Sequence, residues 1–261
     1  MKKAVILLLI GLVALIPSFC MAQSVKEITL VYEDQESFPD IMGDQAVLET
    51  KPGVVIELVR LLEQKMGIKI NLQRHPWKKC LDLVKAGEVD GVILGSYNKE
   101  RGEVLAYPMK GDQVDTSRQI TSMTFTFYKR KGEELAWDGK DLANFTGKIG
   151  APTGYSIVGD LKAKGYEVDE AVTVINNLES LVAGWVDIVA ELDTQADYIL
   201  ANNPELNAKI EKVSPAIITK PYYNIFSKKL AQQDPEFTAK FWEVLTELTQ
   251  TQYKTLAAKY Y

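Results

Sequence analysis

Apolar residues recur along this chain with two periods, one helical and one extended, and their alternation lays out its organisation. Val55, Leu58, Val59, Leu62 and Met66 fall at helical spacing and give one apolar face. Gly67 stops that helix as a C-terminal cap. Ile68, Ile70 and Leu72 then alternate with Lys69 and Asn71, the period of a strand. Beyond Pro76, a residue tolerated in a first turn, a second helix carries Trp77, Cys80, Leu81 and Val84 inward and ends near Gly87. Residues 89–94 form an apolar run of strand length. Helix, strand, helix, strand predicts parallel strands with helices on the sheet faces. Ligands of such sheets sit outside the carboxyl ends of the strands, which makes Ser96 and Arg101, just past this strand, the first candidates for a binding site.

The same alternation continues on both sides. Residues 26–32 read as the first strand, with a polar loop from Glu33 to Pro39 at its carboxyl end. The stretch 102–109 is too punctuated for a long element, and 120–130, rich in Thr and aromatics, reads as a strand. The second half repeats the plan. A strand over 148–151 leads through Thr153-Gly154-Tyr155-Ser156 into a helix to about residue 164, followed by a strand over 169–175, a helix over 176–183 and a strand over 186–190. Short helices are expected over 194–201 and 204–211 and an extended crossing over 213–228. A terminal helix over 237–260 carries Phe237, Phe241, Val244, Leu245 and Leu248 on one face. Two extended crossings with a returning helix predict a discontinuous first lobe, residues 23–122 plus 223–261, around a second lobe, 123–222, and hence a hinge and a closing cleft. Ala86-Gly87-x-Val89-Asp90-x-Val92 and Ala183-Gly184-x-Val186-Asp187-x-Val189 echo each other. Two ordinary helix-to-strand turns, or two related lobes, would each produce that echo.

The N-terminus changes the picture of where the chain works. Lys2 and Lys3 precede an apolar run over 4–16, and small residues Cys20 and Ala22 follow where a signal peptidase inspects the chain. This is the pattern of a cleaved secretory signal, residues 1–22, on a run too short to span a bilayer comfortably. A lipidated Cys20 is disfavoured by the bulky Phe19 before it. Export then leaves Cys80 as the single thiol, so no internal disulfide staples the fold and a real core must hold it. His75 is the one histidine, too few ligands for a His/Cys zinc site. The chain has 30 basic and 35 acidic residues, a net charge of −5, and loss of Lys2 and Lys3 makes it more acidic still. No polybasic surface for nucleic acid is expected.

Against this background the chain resembles the type II periplasmic solute-binding proteins of family 3, which serve ABC importers of polar amino acids and related solutes. Pro52-Gly53 with its helix, Gly87 to Gly91, Glu100-Arg101 and Tyr107-Pro108 carry the resemblance in the first half. Asp141-Leu142, Thr146 to Gly150, Thr153 to Ser156 and Gly184-x-Val186-Asp187 carry it in the second. The implied fold is α/β and two-lobed, each lobe a mostly parallel sheet flanked by helices, with the ligand cleft between them. Arg101 matches the family arginine that grips a ligand carboxylate, a role suited to its fork of donors. Ser96 sits where the family offers a hydroxyl or backbone donor to the ligand, and Tyr155 and Ser156 occupy the turn that opens the second-lobe helix, where free N–H groups favour an anion. Family members that bind amino acids hold the ammonium with an aspartate shortly after the second Val-Asp. Here that position falls on Leu192, between Glu191 and Asp193. A slip of one residue restores Asp193 to the role; otherwise the ligand lacks an α-ammonium.

Phe38 and Trp77 follow strand ends and read either as aromatic walls of the cleft or as core. Glu33 reads either as the partner of a ligand cation or as a solvated loop charge. The implied function is a non-enzymatic, monomeric periplasmic protein without a cofactor. Its partners are a small polar solute bearing a carboxylate and an inner-membrane ABC permease. A sensing module for a partner receptor and a dehydratase-type enzyme are the alternatives on this fold, although no spacing here singles out a general acid–base pair.

Overall fold

A computed structural model describes residues 25–261; the expected signal peptide, 1–22, lies outside the described residues. The first half alternates β1 (Glu27–Glu33), α1 (Val54–Met66), β2 (Lys69–His75), α2 (Trp77–Ala86) and β3 (Gly91–Ser96). A short helix, α3 (Lys99–Val104), and three minor strands, β4 (Leu105–Ala106), β5 (Met109–Lys110) and β6 (Gln113–Val114), lead to a long strand, β7 (Thr121–Arg130). The second half follows as β8 (Lys148–Pro152), α4 (Ser156–Ala163), β9 (Glu167–Ala171), α5 (Val174–Ala183), β10 (Ile188–Leu192), α6 (Asp193–Asn202), α7 (Pro204–Lys209) and β11 (Ile210–Lys212). A second long strand, β12 (Ile218–Ser227), and helices α8 (Lys228–Gln233) and α9 (Pro235–Ala257) complete the chain.

Three local expectations shift. The strand expected over 169–175 ends at Ala171, because the Thr173 hydroxyl accepts from Asn176 N at 3.1 Å and caps α5. The helix expected over 204–211 stops at Lys209, and Ile210, buried, pairs opposite Arg130 as part of β11. No helix is predicted around Arg101, yet Asn98 Oδ1 accepts from Arg101 N at 2.8 Å and starts α3.

Among the described residues, ten strands form one sheet with the main order β2-β1-β3-β12-β7-β10-β8-β9, β4 pairing with β12 and β11 with β7, and β5 and β6 form a separate two-stranded sheet. Each half is a parallel trio, β2-β1-β3 and β10-β8-β9, and the antiparallel pair β12–β7 joins them. Tyr222 of β12 lies opposite Thr121 of β7 on one side and Ser96, the last residue of β3, on the other. Four residues along the same ribbon, Phe125 of β7 lies opposite Ile218 and Leu192, the last residue of β10. The trios thus run in opposite directions, and their carboxyl ends meet over the middle of the ribbon, about 13 Å apart along it at a strand's rise per residue. Helix α9 returns to the first half and packs on α1. Its Phe237 and Phe241 close around Phe226 of β12, with ring centroids 6.4 and 4.9 Å away. No helix among the described residues is long and apolar enough to cross a membrane.

The sequence echo has a structural cause. Gly87 and Gly184 both take left-handed φ, 68° and 76°, and end α2 and α5. Three residues on, Asp90 donates its N–H to Thr29 O at 3.0 Å and accepts Thr29 N on Oδ2 at 2.8 Å. Asp187 does the same to Lys148, at 2.9 and 2.7 Å. Each aspartate therefore pins the neighbouring parallel strand at its start and sets that strand's register. Replacing Asp90 by Ala leaves the Thr29 N–H without its charged acceptor. It should lower unfolding free energy by about 1–3 kcal/mol, measured by urea denaturation.

Candidate functional site

Six of the residues singled out in the sequence converge where the two sets of strand ends meet. Glu33 ends β1, Trp77 begins α2 after β2, and Ser96 ends β3. Arg101 is carried by α3, which Asn98 starts. From the other half, Tyr155 and Ser156 open α4 after β8. All six line one cavity of about 20 Å³, close to the room one water needs. The two halves are in direct contact around it.

Arg101 is the centre of that contact. It is buried, its guanidinium carbon lies 5.6 Å from the centroid of the Trp77 ring, and it forks between the halves. Nη1 donates to Ser96 O at 3.0 Å and Ser96 Oγ at 3.3 Å, within its own half, and Nη2 donates to Gly154 O of the other at 2.6 Å. The Trp77 indole N–H donates to the same Gly154 carbonyl at 3.2 Å. Ser96 Oγ and Ser156 Oγ share a hydrogen bond of 2.8 Å across the cleft. Tyr107, from the segment after α3, donates to Ser96 O at 2.9 Å and holds that strand end in place.

Tyr155 donates its hydroxyl to Glu33 Oε2, a second bridge between the halves. Burial pushes the Glu33 carboxyl up to about 7, against the Tyr155 hydrogen bond, which favours the ionised form. Burial also holds the Tyr155 phenol well above its ordinary range, so it remains a donor.

Phe38 and Asp193 are not brought to this cavity. Phe38 stacks on Tyr198, rings 5° from parallel with centroids 6.0 Å apart, and meets Tyr261 edge-on at 5.2 Å. Its neighbour Ser37 lines the cavity instead. Leu192 ends β10 with its side chain in the cavity wall. Asp193 begins α6, where its carboxylate faces Lys212 Nζ at 3.4 Å. Glu191, one residue back along the strand, is wholly buried beside Asn177, whose Nδ2 donates to Oε1 at 2.6 Å. Its Oε2 has no partner among the described residues.

Sequence reasoning missed Lys220, Gln195, Met123 and Tyr222. Gln195 lies in the first turn of α6, and Met123 and Tyr222 come from the crossing strands; all three line the cavity. Lys220 is buried, with Nζ donating to Ser156 Oγ at 2.9 Å and to Asp160. Burial pulls its ammonium down, and Asp160 offsets this in part. The available signal was a lysine set among Ile217, Ile218, Tyr222 and Tyr223 in a stretch read as extended.

The family of bacterial extracellular solute-binding proteins, family 3, matches residues 49–261, and the chain belongs to it. No curated protein matches the chain. Among solved structures, a histidine kinase sensor domain with similarity to periplasmic binding proteins has a TM-score of 0.71 at 20% identity, covering 90% of this chain and 96% of that one. The periplasmic binding protein of an arginine 3rd transport system from Legionella pneumophila has a TM-score of 0.68 at 15% identity, covering 90% and 100%. An ancestral arginine-binding protein bound to arginine has a TM-score of 0.66 at 19%, covering 90% and 98%. These likenesses establish the two-lobed periplasmic binding protein fold.

The buried carboxyls give stability a defined pH dependence. Glu191 rises from an ordinary 4.5 to about 8 through burial, only partly opposed by Asn177. Between those values the folded chain keeps a proton that the unfolded chain has released, so stability falls as pH rises through the window. Glu33 and Asp40, raised by burial to about 7 and about 6, act in the same direction. The urea midpoint should therefore drop from pH 5 to pH 8. Glu191→Gln keeps an acceptor for Asn177, and it should flatten the slope and be the more stable chain at pH 8 by about 1–3 kcal/mol.

Proposed function

We propose that this chain is the periplasmic binding component of an ABC importer, capturing a small carboxylate-bearing solute, an amino acid or a related acid, between two lobes that close on it. The observation that carries this reading is the fork of Arg101 between Ser96 and Gly154. The Gly154 carbonyl stands in for a ligand carboxylate oxygen, and an ionised carboxylate is the stronger partner for a guanidinium. The N–H groups that open α4, the Ser96 and Ser156 hydroxyls and the Trp77 ring then complete an anion site with an aromatic wall. In this reading the lobes are 23–122 plus 223–261 and 123–222, β7 and β12 serve as the hinge, and the signal over 1–22 delivers the chain to the periplasm. Glu33 acts by hydrogen bonding rather than as a catalytic acid, since its carboxylate is held by Tyr155. The fold is shared with a histidine kinase sensor domain as well as with transport proteins. Delivery to a permease therefore rests on the family and is tested with a reconstituted importer.

A thermal-shift screen of residues 23–261 against amino acids, dicarboxylates, polyamines and short peptides tests the carboxylate directly. A ligand at 100 times its Kd stabilises the native state by about 2.7 kcal/mol, a rise in Tm of roughly 5–10 °C for a chain of this size. Arg101→Ala should remove the shift. A ligand without a carboxylate, or a shift that survives Arg101→Ala, would overturn the proposal.

The pH dependence of affinity separates the two classes of acid. An α-ammonium facing Glu33 needs the ionised carboxylate, so binding of an amino acid should tighten as pH rises through about 7. An acid without an ammonium meets a repelling charge there, and its binding should weaken over the same range. Isothermal titration from pH 6 to 8.5, with Glu33→Gln as the flat reference, distinguishes them.

A further inference from the structure

Behind the serine pair lies a second and far larger space. A groove of about 590 Å³ runs along the start of β12, between the β3–α3 junction of one half and α4 with the 137–140 loop of the other. Its volume falls within the usual range for small-molecule sites. Tyr97, Phe127, Trp137 and Tyr166 supply four aromatic walls. Trp137 packs edge-on against Phe127, centroids 5.0 Å apart, and spends its indole N–H on Pro215 O at 2.7 Å, which leaves the ring as an apolar surface.

The charge around this groove runs against that of the chain. The protein carries a net −5, yet Lys99, Lys140, Lys164 and Lys220 line the groove with Asp160 as the single acidic residue. Lys99 and Lys140 have no ion-pair partner among the described residues, whereas Lys164 pairs with Asp141 at 3.1 Å and Lys220 with Asp160. Apolar walls with unpaired cations at the rim fit one kind of occupant, a flat apolar body with one negative charge. We propose that this groove is a second binding site, for an aromatic carboxylate, distinct from the solute cleft. Lys220 joins the two spaces, since its Nζ reaches through to Ser156 Oγ in the cleft wall. Both halves line the groove, so an occupant ties them together and favours the closed arrangement.

The probe is 2-naphthoate, titrated calorimetrically into the chain over residues 23–261. One molecule should bind per chain, and neutral 2-naphthalenemethanol, with the same ring system, should bind at least tenfold more weakly. Ile218 is 41% exposed and lines the groove, so Ile218→Glu adds a repelling charge without disturbing the core. It and Lys140→Glu should each weaken naphthoate by fivefold or more, with melting temperatures of the free chains unchanged. Equal binding of the neutral compound would overturn the proposal, as would naphthoate binding indifferent to both substitutions. Loss of that binding in Arg101→Ala would assign it to the cleft instead. Tighter binding of decanoate than of naphthoate would overturn the aromatic class. A dimer that Ile218→Glu converts to monomer would give the groove to a second copy.

Discussion

The pairing of β12 with β7 is the constraint on which the rest depends. Two parallel trios with helices on their faces can each fold locally, but nothing in a trio decides where the other lies. The ribbon decides it. β12 pairs with β7 through its first half and with β3 through its second, and Tyr222 is the residue where the change occurs. Because all three pairings between the trios, β3–β12, β12–β7 and β7–β10, are antiparallel, the trios point at each other, and the loops after β1, β2, β3, β8 and β10 are gathered around one point. Arg101 can reach Gly154 only because that geometry is already in place.

Much of this was legible in the sequence for a simple reason. Helix and strand periods differ, and the chain keeps them cleanly through α1, β2, α2 and again through α4 and α5. Strand ends are therefore easy to find, and Ser96 and Arg101 follow from them by one rule about parallel sheets; Glu33 and Trp77 stand at strand ends with two readings each, and Tyr155 and Ser156 come from the family resemblance. Where the pattern has no period, legibility stops. Phe38 lies in a turn closed by the Ser37 and Ile41 backbones, where nothing in the sequence tells which neighbour faces inward. Leu192 and Asp193 show a sharper limit. Alternate residues of a strand face opposite ways, so an error of one in where β10 ends exchanges an apolar wall for a charge. Lys220 was missed because it sits inside an extended crossing, away from the strand ends that the rule inspects.

Two kinds of polar anchor stand out in the structure. Asp90 and Asp187 bind backbone at strand starts and are fixed parts of the frame. Glu33, Ser96, Ser156 and Arg101 bind partners across the cleft, and those partners belong to the other half. The first kind gives the sheet its register. The second holds the halves together through the same groups that the proposed function gives to the solute.

The Gly154 carbonyl has a consequence for selection. A peptide carbonyl carries a partial charge, and Arg101 is already satisfied by one. A neutral solute offering another amide or hydroxyl exchanges like for like and gains little from the arginine. A carboxylate gains the difference between a full charge and a partial one. Under the proposed function the turn at residue 154 sets a threshold, and the cleft would sort solutes by charge before shape has any say.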